Sequence, residues 1–478
     1  MSRPVVLLVK SASLSTKITG IVPPTGLLSL AGTLRRDLEA EVVVIDAHLE
    51  RAPLGRVRRL VRELAPLAVG ISALTAEAHL AHRLAAEVKA LQSALPVVIG
   101  GPYPTSDPAA AVTDRNVDVA VIGEGEMTFL ELLQLCAAEG PRWRTPDNLA
   151  AVRGIAFCGI DGQVESTPPR PFVEDLDQLP FPAWELIDLR PYWRRHGMAS
   201  HGVRAYVPMF TSRGCPYRCR YCHQIFGRRF RARSPESVAA EAQRILAMGA
   251  TDISILDDIA NFDGRRFDRI LETLLERRLH PALSFPNGVR ADLLEEHSIE
   301  LLKKVGVGEV SVAIETASKR LQKLLCKNLS LDRAQRAIDA MAARRILTRG
   351  FFMLGLPTET YAELVGTIRF AHASRLHLAL FFTPNPFPGT GIHDMFRELG
   401  KLPDDLRTVD YEYYGSPFNG SEISDRLYRA LYRYAYLGFY GNPRRIFRIL
   451  RDRPQKSDLP QRAIGLLRNS LSFRRLAE

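Results

Sequence analysis

Residues 211–223 read TSRGCPYRCRYCH, with Cys215, Cys219 and Cys222 spaced as CxxxCxxC. Thiolates are the protein ligands that suit iron–sulfur clusters and zinc. Three thiolates on one loop can hold three corners of a four-iron cube and leave the fourth iron open. An open coordination position lets a metal site do chemistry instead of only stapling a fold. The rival reading is zinc, with His223 as fourth ligand. His223 directly follows Cys222, however, and neighbours rarely aim both side chains at one tetrahedral metal. Zinc sites usually come as two CxxC-like halves, and no second half follows. The other cysteines, Cys136, Cys158 and Cys326, are solitary and read as small buried hydrophobes.

Outward from this loop, the chain alternates strand and helix. Strand YVPMFTS (206–212) precedes the cysteines and a helix over 235–249 follows them. Strands DISILDD, ALSFPNG, EVSVAIET, TRGFFMLGLP and HLALFFT come next, each separated from its neighbour by a helical stretch. About six βα units are too few for a closed eight-stranded barrel, so 206–395 is predicted to be an open partial (β/α)6 barrel. Its site should lie at the carboxyl ends of the strands, where the cysteine loop falls. Cys326 begins a loop between two helical segments at that mouth, and is kept as a candidate catalytic residue with Tyr217.

Before the barrel, short Val/Ile runs (VVLLV, EVVVID, LAVGISAL, PVVIGG, VDVAVIG) alternate with amphipathic helices over residues 1–145. This predicts an α/β domain with a doubly wound, parallel, Rossmann-like sheet. Ligand loops should follow its strands. Residues 146–205 hold a hairpin turning at Asp161-Gly162 and a proline-rich run, read as a connecting segment wrapping between domains. Residues 396–478 read as helical and basic, with aromatic clusters at Tyr411, Tyr413 and Tyr414 and at Tyr432, Tyr434, Tyr436, Phe439 and Tyr440. That region is expected to close the barrel mouth and shape a substrate pocket.

The 478 residues carry 46% hydrophobic and 24% charged side chains, which suits a soluble multidomain protein. No run is apolar long enough for a membrane span and no cleavable leader is evident, so a cytoplasmic protein without stable membrane insertion is expected. The net charge of +11 is not accompanied by an aromatic nucleic-acid motif, and no nucleic-acid partner is expected.

The cysteine stretch, including Tyr221 before the last cysteine, resembles the radical S-adenosylmethionine (SAM) superfamily over about residues 206–395. The resemblance implies a 4Fe–4S cluster on Cys215, Cys219 and Cys222 whose open iron chelates the methionine moiety of SAM. Reductive cleavage then gives a 5′-deoxyadenosyl radical that takes hydrogen from a small-molecule substrate, with electrons from a flavodoxin or ferredoxin. By the same resemblance Asp257 and Asp258 meet the methionine amine, Asn287 and Arg290 line the SAM site, Glu315 binds the ribose hydroxyls, and Gly355-Leu356-Pro357 packs adenine.

The first 140 residues resemble the cobalamin-binding branch of the same superfamily. The residues concerned are Gly26, Ser72, Thr75, Gly100, Gly101, Thr105 and Gly123-Glu124-Gly125. Glycines let backbone approach a flat macrocycle and its nucleotide tail, and the hydroxyls at 72, 75 and 105 could bond the tail. Asp46-Ala47-His48 imitates a cobalt-ligating motif but follows the second strand instead of the first, and His48 reads as a surface residue. Three functions fit: cobalamin-dependent methylation of an unactivated carbon in natural-product or cofactor biosynthesis, non-methylating dehydration or cyclisation, or a non-catalytic sensor. Cys326, Tyr217, His223 and His377 are the acid–base candidates.

Overall fold

The computed structural model describes residues 3–13, 21–195, 197–199, 204–223, 225–403, 406, 418–453 and 455. They fall into two compact units, the first within residues 1–191, 223–227 and 406–412, the second within 192–222, 228–405 and from 413 onward.

The first unit is built on strands β1 (Val5–Lys10), β2 (Glu41–Asp46), β3 (Ala68–Ser72), β4 (Val97–Gly100), β5 (Val119–Val121), β6 (Ile155–Cys158) and β7 (Val164–Ser166). Their order is β2-β1-β3-β4-β5-β6-β7. The first five run parallel, while β6 and β7 join antiparallel. Alternate residues of β1 enter opposite cores: Leu7 and Val9 one, Val6 and Leu8 the other. That alternation is why the strand reads as continuously apolar, since both faces are covered. Helices Pro53–Leu64 and Ala78–Leu91 cover the first face, and Thr25–Asp37 and Glu126–Glu139 the second. The predicted hairpin at 161–162 forms, but it extends this sheet instead of bridging two domains. Gly154 N donates to Pro168 O and Thr167 N to Ile155 O, so the proline-rich run continues along the same edge. Cys158 ends β6 exposed, and is not the buried hydrophobe expected.

The second unit holds six parallel strands in chain order: β8 (Tyr206–Met209), β11 (Asp252–Ile255), β12 (Ala282–Val289), β13 (Glu309–Glu315), β14 (Thr348–Met353) and β15 (Leu378–Phe382). This is the expected open partial barrel. A two-residue ladder, β9 (Ser212–Arg213) with β10 (Arg231–Ala232), closes the base of the cysteine loop.

The open edge of β15 is not left bare. Helix Asp425–Tyr440 places Tyr428, Tyr432, Tyr436 and Tyr440 four residues apart on one face. Tyr440 Oη donates to Ala379 O and accepts from Ala379 N, and Tyr436 does the same at Phe381, where Tyr432 also donates to the carbonyl. Three hydroxyls thus stand where a seventh strand would pair, which protects an edge prone to association, while Tyr428 Oη donates to Leu354 O and bonds Thr383 Oγ1. Tyr432, Tyr436 and Tyr440 therefore cap the sheet edge, and the Tyr428 ring packs against Gly355; Tyr411, Tyr413 and Tyr414 lie outside the described residues. Tyr436→Phe leaves the buried Phe381 N–H without its partner and is expected to cost about 1–3 kcal/mol. Urea denaturation checks this, with the exposed Tyr434→Phe as a neutral control; equal midpoints for the two would refute the capping role.

Two candidates for chemistry become structural. His377 is fully buried at the start of β15, where its Nδ1 accepts from Thr348 N (3.1 Å) and its Nε2 faces Asp452 (3.0 Å). Both atoms lie at the amino ends of the strands, opposite the cysteine loop. Arg445, within the basic C-terminal region, is buried.

Candidate active site

The cysteine loop starts from a buried carboxylate. Asp257, just past β11, accepts from Thr211 N (2.6 Å), Thr211 Oγ1 (2.5 Å) and Ser212 Oγ (2.6 Å). Gly214 follows with φ +83°, turning the chain into the cysteines, and its N–H donates to Asp258 Oδ2 (3.2 Å). Asp257, with both oxygens committed to the loop, is a positioning residue. Asp258 is exposed and keeps a carboxylate face toward solvent.

The far leg of the loop is pinned as firmly. Cys222 N donates to Cys219 O, Arg220 N to Leu325 O, and Ile392 N to Arg220 O. Cys219 Sγ lies 3.9 Å from Cys326 O. None of the three thiols is in a disulfide. Burial pushes the Cys215 thiol up, and the charges of the neighbouring Cys219 thiol and of Asp258 push it further. Three soft sulfur donors on one loop suit an iron–sulfur cluster.

Around the loop stand the side chains expected from sequence. Tyr221 Oη donates to Glu315 Oε1 (3.2 Å). Glu315 ends β13 with φ +65°, a left-handed conformation that is strained for a non-glycine residue. Burial pushes its carboxyl up while Lys327 and Tyr221 pull it back. Asn287 Nδ2 donates to Leu256 O, fixing β12 against the end of β11. Arg290 is a bracket: its guanidinium bonds Asp292, Lys327 O and Asn328 O and lies 4.0 Å above the Tyr217 ring. Tyr217 also meets Phe262 edge-on. Gly355 has φ +83°, and a Cβ there would come within 3.0 Å of the Tyr428 ring.

Two residues escaped the sequence reading. Lys327, between Cys326 and Asn328, has its ammonium 3.7 Å from Glu315. Its signal was a basic residue in the short turn already marked by Cys326. Glu359 is fully buried, and its Oε2 accepts from Gly355 N (2.7 Å) and Leu356 N (3.2 Å), bracing the bend at Gly355–Leu356. The spacing Gly-x-x-x-Glu is visible in the sequence, but nothing local shows that the carboxylate turns back onto the glycine.

Burial raises the Glu359 carboxyl from its usual 4.5 to about 8. A folded pKa above the unfolded one means that the folded state binds the extra proton, so stability falls as pH rises from about 4.5 to about 8. Glu359→Gln is expected to remove that slope, at most roughly 1.4 kcal/mol per pH unit. Melting curves across this range check it, and parallel pH profiles for the two proteins would refute the assignment.

In the first unit, Ser72, Gly100 and Gly123 lie at the carboxyl ends of β3, β4 and β5. Gly101 has φ +94°, and a Cβ there would meet Ser72 Oγ at 3.0 Å and Ala73 O at 3.1 Å, so the backbone is pressed into a cradle only glycine fits. A Cβ on Gly26 would meet nothing within 4 Å. These glycine loops fit a flat, bulky ligand. Thr105 is committed elsewhere, since its hydroxyl donates to Gly101 O (2.8 Å) and accepts from Gly123 N (3.0 Å), stitching two loops together. Glu124 Oε2 accepts from Val173 N, and Thr75 is buried in a short turn. His48 is not a surface residue: Asp46 Oδ1 lies 3.0 Å from its Nδ1, and Glu77, itself paired with Lys10, lies 3.6 Å from its Nε2. His223, grouped with this unit, has its Nδ1 3.0 Å from Ser106 Oγ.

Among the described residues no helix is long and apolar enough to cross a membrane. The radical SAM superfamily matches residues 209–371, and the B12 binding domain matches residues 13–133. A methyltransferase of Pyrococcus horikoshii named as uncharacterized, PH0819, is 29% identical over 437 residues, covering 88% of each chain. An anaerobic magnesium-protoporphyrin IX monomethyl ester cyclase of Rubrivivax gelatinosus is 29% identical over 417 residues, 86% of this chain and 72% of that one. Among solved structures, the radical SAM methyltransferase TsrM of Kitasatospora setae shares the fold at a TM-score of 0.69 and 21% identity, over 84% of this chain and 77% of that one.

Proposed function

This chain belongs to the radical SAM superfamily, in the branch that carries a B12 binding domain, and from that premise we propose that it methylates an unactivated carbon of a small molecule. Its cofactors are a 4Fe–4S cluster, SAM and cobalamin. The observation that carries the methyl-transfer reading is the likeness to PH0819 along 88% of both chains, which spans the B12 binding domain and the barrel together.

When bound, the cluster and SAM supply a 5′-deoxyadenosyl radical that takes a hydrogen atom from the substrate, and cobalamin supplies the methyl group. The protein's part is to hold and orient. Cys215, Cys219 and Cys222 are the cluster ligands. Asp257 and the β9–β10 ladder fix where that loop begins, and Leu325 and Cys326 fix where it ends. Asp258 is the carboxylate free to meet the SAM amine. Glu315, oriented by Tyr221, is the ribose acceptor, and the Gly355–Leu356 bend, braced by Glu359, is the adenine floor. The cluster, once bound on Cys215, Cys219 and Cys222, would take its electron from a partner of the flavodoxin or ferredoxin type.

The likeness to the Rubrivivax cyclase supports a second reading, radical cyclisation without methyl transfer. Anaerobic reconstitution with cobalamin and candidate substrates separates the two. Release of both 5′-deoxyadenosine and S-adenosylhomocysteine, with a product heavier by one methylene, is the outcome expected. Deoxyadenosine without homocysteine would favour cyclisation or dehydration, and neither product under reducing conditions would overturn both readings.

A further inference from the structure

Six of the fourteen large apolar side chains left exposed among the described residues lie in two consecutive helices, Asp425–Tyr440 and Pro443–Asp452. Within them the six are aligned. Leu427, Tyr434 and Leu437 are seven and three residues apart, which puts them on one stripe of the first helix, beside the face that caps β15. Ile446, Phe447 and Leu450 form the matching stripe on the second, next to the buried Arg445 and Ile449. Leu437 and Arg444 line one shallow hollow at the elbow between the helices, where the two stripes join. Phe447 is 64% exposed and Leu437 57%, so much of this apolar surface is in water.

The charge around the stripes has a single sign. Residues 426–451 hold seven arginines and no aspartate or glutamate. Arg445 is buried, whereas Arg426, Arg433 and Arg444 are exposed. The second helix packs through Ile449 on Leu347 and Leu378, at the amino ends of β14 and β15, the opposite end of the strands from the cysteine loop. We propose that this face seats the protein on the surface of an anionic lipid bilayer. The apolar stripes lie at the boundary of headgroups and acyl chains, the arginines reach the lipid phosphates along their own apolar stems, and the Tyr434 ring sits at headgroup depth. A second copy of the chain is a poor occupant, because it brings the same seven arginines against these. The attachment is peripheral, since neither helix is long and apolar enough to cross a membrane. It leaves the carboxyl ends of the strands open, whichever reaction runs there.

Flotation of the full-length protein with vesicles of equal parts phosphatidylglycerol and phosphatidylcholine tests this. Binding is expected, at least about tenfold stronger than to phosphatidylcholine alone and weaker as salt is raised. Phe447→Ser combined with Leu450→Ser should weaken it about tenfold or more, and Arg433→Gln combined with Arg444→Gln about fivefold or more. All four side chains are exposed, so melting curves of the variants should overlay that of the unmodified protein. If either pair melts early, Phe447→Ser alone replaces it, with a smaller loss of the same sign. Binding no stronger to anionic than to neutral vesicles overturns the proposal, as does binding that either double variant retains in full. Absence of vesicle binding, with a dimer that the Phe447→Ser and Leu450→Ser pair dissociates, gives the face to a second copy and overturns it too.

Discussion

A Cys219→Ala protein is expected to leave anaerobic reconstitution with little iron and to form no 5′-deoxyadenosine above background. Cys219 is the middle thiol of the three, and its segment is tied on both sides, by Cys222 N to its own carbonyl and by Arg220 N to Leu325 O. The remaining two thiols cannot hold a cube at three corners. His223 is turned to Ser106, and Cys326, the nearest other cysteine, presents its carbonyl and not its sulfur to Cys219. The protein should still fold, because Cys219 sits half-buried on a loop outside the core. Circular dichroism should show a melting transition close to the unmodified protein's. Iron and sulfide content, the resonance signal of the reduced cluster and deoxyadenosine formation are the readouts. Normal iron with normal cleavage would sink the assignment of the loop.

The cysteine loop and the two alternating sheets were legible in the sequence because each rests on short-range information. Thiol spacing is local, and strands such as VVLLV and EVVVID declare their burial in composition alone. Roles that depend on which strand end meets which loop were not legible. Asp257 looks like a strand-end acid facing a ligand, yet it spends both oxygens on Thr211 and Ser212, residues more than forty positions earlier. Thr105 carries a hydroxyl at the right end of the sheet, but Gly101 and Gly123 take it. His377 and His48 are each chemically suited to catalysis, and only the fold reveals that one sits at the wrong end of the strands and the other beside two carboxylates. The four-residue spacing of Tyr428, Tyr432, Tyr436 and Tyr440 was readable as a helical stripe. What its last three members cover, the bare edge of β15, required the third dimension.

Arg445 is the stability counterpart of the cysteines, and Arg445→Met is expected to lower the stability of the second unit by about 3–5 kcal/mol, the range for stripping one partner from a buried charged network. The residue lies in helix Pro443–Asp452 and is 1% exposed. Its guanidinium donates to five carbonyls: Phe439 (2.8 Å), Ser374 (2.8 Å), His372 (3.0 Å), Leu376 (3.1 Å) and Ala371 (3.3 Å). It also lies 3.6 Å over the Phe439 ring. Ala371 and His372 belong to the last turn of helix Tyr361–Ala373, whose carbonyls have no partner within the helix. A cation at that end also meets the negative pole of the helix dipole. Among the described residues no carboxylate pairs with Arg445, so the carbonyls alone offset its charge, and burial lowers its pKa to about 10. Methionine fills much of the space but leaves five carbonyls without this donor; Leu376 O keeps Arg448, and two of the others left unsatisfied at about 1–3 kcal/mol each would supply the predicted loss. Lysine keeps the charge without the planar fork, so Arg445→Lys should fall between the two. Urea denaturation reads the order directly, with midpoints falling from the unmodified protein through lysine to methionine. A methionine variant within about 1 kcal/mol of the unmodified protein would show that water or rearranged backbone replaces these bonds, and that the guanidinium is not what clamps the last helix to the barrel.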